Sequence, residues 1–90
     1  MMNAVVTVVG KDRVGIIAQV CQFLASYNVN VLDIRQTVMQ SYFTMMMVVD
    51  PSQSNVPLAE LAQLLEAHGK DMGLSIRLQR EDIFDAMHRV

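Results

Sequence analysis

The sequence predicts an α+β chain, a ferredoxin-like sandwich. Two helices pack on one face of a four-stranded antiparallel sheet in the order β-α-β-β-α-β, and a short C-terminal helix is added. Three observations predict it. The apolar residues switch along the chain between a period of two and a period of three to four. Two strand-like runs, 29–40 and 42–50, are separated only by Gln40-Ser41, which makes them a hairpin. The chain of 90 residues has room for one domain, 1–90, with its core within 2–80.

Residues 2–9, MNAVVTVV, are apolar and β-branched with no helical period, as in a strand buried on much of both faces. The loop GKDRVG ends it. From Val14 the pattern turns helical, with Ile17, Val20, Cys21 and Leu24 on one face and Asn28 as the stop. In 29–40, Leu32, Ile34 and Val38 are expected to point one way and Asp33, Arg35 and Thr37 the other. Residues 42–50 are apolar on both faces, Phe43, Met45, Met47 and Val49 against Tyr42, Met46 and Val48 with Thr44. PSQSN, 51–55, is a loop, and Pro57 suits a first helical turn. Leu58, Leu61, Leu65 and Met72 then mark a helix over 57–72, whose last turn Gly69 weakens. Leu74, Ile76 and Leu78 alternate in a fourth strand. The tail, about 81–89, begins with acids, ends with His88 and Arg89, and lines Ile83, Phe84, Met87 and Val90 along one side of a helix.

Composition narrows the function. Apolar residues are 52% of the chain even with glycine left out, against about 45–50% in ordinary domains with glycine counted in. Charged residues are 18%, below the usual ~25%. A domain this small cannot easily hide that excess alone, so a second copy is expected. A net charge of −2 disfavours nucleic acid and anionic membrane as partners. Cys21 is the only cysteine, which allows no disulfide within the chain and points to a reducing compartment. The N-terminal residues have neither a basic start nor an apolar stretch long enough for a signal peptide or a membrane span, so the cytoplasm is the expected location.

Most site chemistries fail on the residues. Gly10 and Gly15 have the spacing of a Walker A loop, but Ile16 and Ile17 stand where lysine and a hydroxyl are needed. Base stacking needs aromatics on the central strands, and the first strand has none. Metal carriage needs convergent soft ligands. Cys21 is alone on an apolar helix face, and neighbours among Met45, Met46 and Met47 point to opposite faces of a strand. No metal or other cofactor is expected. No Ser/His/Asp or Cys/His set assembles around His68 or His88, so no enzyme is expected either. GKDRVG remains. A loop that leaves a strand and opens a helix presents backbone N–H groups and a partial positive charge, which suit a carboxylate. Asp12 can accept from an ammonium group, Arg13 can pair with an acid, and Gly15 admits close approach. The same residues serve equally well as a plain turn with Asp12 capping the helix.

VTVVGKDRVGIIAQVCQFLASYNVNVLDIRQTVMQSYFTMMMVV resembles an ACT domain, the small-molecule sensing module of amino-acid metabolism. The resemblance is carried by the first-strand valines, the Gly10–Gly15 loop, Ile16-Ile17, the Asn28-Val29-Asn30-Val31 start of the second strand, and Phe43-Thr44-Met45. The tail, with Ile83-Phe84-Asp85-Ala86-Met87, is similar to that of small free-standing ACT proteins related to glycine-cleavage regulators. The resemblance implies a homodimer through sheet or helix pairing, commonly side by side into an eight-stranded sheet, with an amino-acid effector often held between the first loop of one chain and the second-strand start of the other. Motif by motif it implies Gly10, Asp12, Arg13, Val14, Gly15 and Ile16 as the loop part of the site and Asn30 and Val31 as the strand part. Most ACT domains are attached to an enzyme or a DNA-binding domain. Nothing is attached here, so the signal is expected to pass to a partner protein. The alternative is a fold of the same kind that regulates a partner through its surface and binds no metabolite. Tyr42, Met46, Val48 and Met39 would leave an apolar patch on the second face of the sheet, for which the C-terminal helix, in its own chain or the partner's, is the expected lid.

Overall fold

The computed structural model describes residues 3–11 and 14–82. The elements run β1 (Ala4–Lys11), α1 (Ile16–Ser26), β2 (Asn30–Met39), β3 (Tyr42–Asp50), α2 (Leu58–Met72) and β4 (Ser75–Arg80). All strand pairs are antiparallel, and the sheet order is β2-β3-β1-β4. Since β3 is antiparallel to both β1 and β2, those two run in the same direction. This is the expected βαββαβ sandwich. The expected helix over 81–89 falls mostly outside the described residues; Glu81 and Asp82 are helical.

The sheet faces follow from register. Ala4, Val6 and Val8 of β1 pair with Val49, Met47 and Met45 of β3, and all six are buried against the helices. Ile16, Val20 and Leu24 of α1, Leu61 and Leu65 of α2, and Leu74 and Ile76 complete the core. Full burial of each such side chain contributes about 1.5–3 kcal/mol relative to exposure. The α1 stripe is rotated from the expected one. Its centre is Ile16-Val20-Leu24, and Ile17 and Cys21 flank it half-buried.

Two helix ends close in the same way. Past α1 the Val29 N–H bonds to Leu24 O at 3.0 Å and the Asn28 N–H to Ala25 O at 2.9 Å, with Asn28 left-handed at φ 63°. Past α2 the Leu74 N–H bonds to Gly69 O at 2.7 Å and the Gly73 N–H to Lys70 O at 3.1 Å, with Gly73 at φ 73°. Each is a paired bond around a left-handed residue that satisfies otherwise orphaned carbonyls. Asn28 is thus the stop the sequence marks. Gly69 has a further role. A Cβ there would meet Ile76 Cγ1 at 2.8 Å and Leu74 O at 2.9 Å, so glycine lets α2 lie close on β4.

Three details depart from the sequence reading. β1 continues through Gly10 and Lys11, which pair with Phe43 and Tyr42, so the first half of GKDRVG is strand. The pairing of β2 with β3 shifts between Val31 and Asp33, a bulge that breaks the alternation. Val31 and Ile34, opposite Val49 and Met47, therefore share the helix-facing side, in place of the expected Leu32-Ile34 pairing of directions. At the hairpin, Gln40 takes φ 56° with neither glycine nor asparagine to announce it.

Candidate ligand-binding site

The site is built where β1 hands over to α1. Gly10, the last helix-facing position of β1, lies against α2's end, and a Cβ on it would collide with Leu74 Cδ2. Its missing side chain is accounted for by packing. Asp12 and Arg13 lie outside the described residues. Val14 is fully exposed. Gly15 is the N-cap of α1 at φ 91°, a conformation that glycine adopts without strain, and a Cβ there would meet nothing within 4 Å. Ile16 is 2% exposed, so its side chain belongs to the core and only its backbone faces the loop.

The first helical bond of α1 runs from the Gln19 N–H to Gly15 O at 3.0 Å. The N–H groups of Ile16, Ile17 and Ala18 precede it, at the positive end of the helix. No acidic residue stands in that first turn, and among the described residues no side chain caps it; the Asp12 cap that the sequence also allows lies outside them. Beside it is a depression of about 230 Å³ lined by Gly15, Ile16, Ile17, Ala18, Gln36, Val38 and Phe43. Phe43 is buried; Gln36 and Val38 are exposed on β2. Those three were not read from the sequence. The hairpin register places them, because Val38 pairs with Phe43, and Phe43 pairs with Gly10 at the loop end of β1.

Asn30 and Val31 are elsewhere. Asn30 pairs with Asp50 and Val31 with Val49, and Val49 lies opposite Ala4 at the far end of β1. Ala4 and Gly10 are six strand positions apart, about 20 Å at ~3.3 Å per residue. A single chain does not bring the two halves of the sequence-derived site together. Next to Asn30, the Asp50 carboxylate accepts the Ser52 backbone N–H at 2.9 Å, and this bond, with one from the Ser52 side chain, holds its pKa below the usual value.

The remaining reactive groups are placed as follows. Burial pushes the Cys21 thiol up, away from the reactive thiolate. Met45 and Met47 are buried on one face while Met46 sits on the other. Among the described residues no three His, Cys, Asp or Glu side chains gather as a metal site would need. His68 stacks on Phe23, centroids 4.1 Å apart and planes 10° apart, in the seam between the helices. Its Nε2 is buried without a hydrogen-bond partner among the described residues. A shallow groove of about 310 Å³ runs over that pair, bordered by Gln19, Gln22, Ser26 and Met72. Among the described residues no helix is long and apolar enough to cross a membrane.

Comparison with known proteins adds a family. Residues 3–79 match the ACT domain family. A UPF0237 protein of Bifidobacterium longum is 51% identical over 90 residues, covering all of both chains. An ACT domain protein from Streptococcus pneumoniae superposes with a TM-score of 0.81 at 42% identity, covering 97% of this chain and 98% of that one. A structure described as a glycine cleavage system transcriptional repressor superposes with a TM-score of 0.73 at 26% identity, over 88% of this chain and 45% of that one.

Proposed function

The chain belongs to the ACT domain family, whose members are typically regulatory and bind small molecules, and from that premise we propose a homodimeric, amino-acid-binding regulator without catalysis of its own, acting in the cytoplasm on a partner protein. One observation carries the reading: the depression at the N-terminus of α1 lies beside an open edge strand. β2 is the outermost strand on its side of the sheet and shows Leu32, Ile34 and Val38 at 50%, 38% and 52% exposure. An unpaired ten-residue edge strand that exposes these three apolar side chains invites pairing. Antiparallel pairing of two β2 strands about a two-fold axis near Ile34 would set Asn30 of one chain opposite the partner's Val38, at the rim of the partner's depression. The halves that lie about 20 Å apart in one chain would then meet across the interface, and the sheet would have eight strands. An amino acid would place its carboxylate on the N–H groups at Gly15–Ala18 and its ammonium toward Asp12. Gly10, Arg13, Val14 and Val31 would border it.

The test is a thermal-shift screen of the purified protein against the proteinogenic amino acids, with size followed by sedimentation. A ligand at ~100 times its dissociation constant adds about 2.7 kcal/mol to the folded state, several degrees for a domain of this length. The expected result is a dimer and a selective shift. A folded protein that responds to no amino acid overturns the reading and favours the surface-acting alternative.

A further inference from the structure

The sheet has a second open edge. β4 is outermost on the side away from β2, so pairing through β2 leaves it open. The register of β1 with β4 runs unbroken from Ala4 opposite Arg80 to Val9 opposite Ser75, and the Glu81 N–H bonds to Asn3 O at 3.0 Å. Hydrogen-bonded pairs alternate along an antiparallel ladder. Counted back from Glu81, the backbone groups of Gln79, Arg77 and Ser75 therefore bond to β1, while the N–H and C=O of Ile76 and Leu78 point out of the sheet. The side chains of these same two residues face α2, Ile76 buried and Leu78 half-buried.

Two depressions lie between this edge and α2. One, of about 170 Å³, is bordered by Glu66, Lys70, Leu74 and Ile76. The other, of about 220 Å³, is bordered by Ala62, Glu66, Ile76 and Leu78. Ala62, Glu66 and Lys70 follow one another a turn apart, in one row along the helix. Glu66 therefore stands between the two depressions. It is exposed and makes no ion pair among the described residues.

We propose that this edge docks an extended segment of a partner protein by strand addition, antiparallel to β4, with a basic residue opposite Leu78 and an aliphatic residue opposite Ile76. The outward N–H and C=O groups of Ile76 and Leu78 would bond to its backbone. Alternate residues of an added strand fall on the α2 side about 7 Å apart, the step from Leu78 to Ile76 and from one depression to the other. The residue opposite Leu78 meets Glu66 with no competing cation, because Arg77 pairs with Thr7 on the other face of the sheet. The residue opposite Ile76 meets Leu74 and Ile76, and Lys70 disfavours a second cation there. A second copy of β4 supplies no cation opposite Leu78. Centred on Arg77 it would set Ile76 there and Arg77 against Arg77, a like-charge pair; centred on Leu78 it would set Leu78 there. The inference does not depend on an amino-acid effector or on pairing through β2.

The probe is a fluorescein-labelled peptide, Thr-Val-Lys-Thr-Ile-Thr-Val, titrated into the full-length protein and followed by anisotropy and by amide shifts in NMR. Saturable binding is expected, with the shifts centred on Ile76, Leu78 and the Ala62–Lys70 row. Glu66→Lys should weaken binding about tenfold and leave the circular dichroism as in the parent. A peptide with glutamate in place of lysine should bind that variant better than it binds the parent. N-methylation of the peptide's lysine or isoleucine, whose N–H groups would face β4, should abolish binding; N-methylation of the threonine between them, whose N–H would face away, should not. Absence of binding, shifts centred on β2, or equal loss from all three N-methyl peptides overturns the proposal. So does a self-association that the peptide disperses in sedimentation, which would assign the edge to a second copy. Glu66 lies outside the α1 depression, so its variant should keep the parent's response in the amino-acid screen, and failure here leaves that reading standing.

Discussion

Gly10 and Gly15 flank the same loop, and physics gives them different work. At Gly10 the space a Cβ would take is filled by Leu74, while the backbone is ordinary strand. Gly10→Ala should therefore overpack the core and cost about 1–3 kcal/mol, read as a lower midpoint in urea or on heating. A variant as stable as the parent would show that Leu74 moves aside freely. At Gly15 the space is empty and the backbone is left-handed, so Gly15→Ala is costly only through strain, about 1–2 kcal/mol. Asp50 contributes at this scale through pH. Its pKa is lowered from 3.8 by the Ser52 backbone N–H, so its contribution is present above that value and is lost as pH falls through the lower, folded one. Asp50→Asn should flatten the acid-side fall in thermal midpoint. An unchanged slope would mean the Ser52 bond does not distinguish the charged form.

Among the elements, the reading from periodicity held for α2 and β3, while the α1 stripe came out rotated. α2 shows Leu61 and Leu65 inward as spaced, and β3 alternates buried and open residues over its length. What the sequence concealed depends on neighbours in space. The Val31/Asp33 bulge is a mismatch between two strands and leaves no mark in one of them. The extension of β1 to Lys11 needs Tyr42 and Phe43 as partners, and the charge of Lys11 disguises it as loop. The candidate depression was legible only in part: the sequence reading named Gly15 and Ile16 of its lining, while Gln36, Val38 and Phe43 are set beside them by hairpin register and leave no mark in the sequence. The edge strand also makes a prediction. Ile34→Lys puts a charge at a partly exposed position of β2, at the centre of the proposed pairing, and should shift the protein to monomer in sedimentation. A dimer of undiminished stability would move the interface off this edge.

At the scale of the whole molecule, the proposed dimer would account together for the apolar excess, the open β2 edge and the distance between Asn30 and the α1 depression, because two chains would share each site. Asn30→Ala should weaken effector binding and leave the circular dichroism and thermal midpoint of the free protein nearly unchanged, since Asn30 is exposed. The most direct test of the central claim is a mixing measurement. Chains carrying Asn30→Ala and chains carrying Asp12→Ala are each titrated calorimetrically with the effector from the thermal-shift screen, then exchanged together and titrated again. Each variant alone lacks an intact site. In a mixed dimer both lesions fall on one site and leave the other whole. Recovery of parental affinity at one site per mixed dimer is the predicted result. A mixture in which mixed dimers form but bind no better than the separate variants would contradict a site built across two chains.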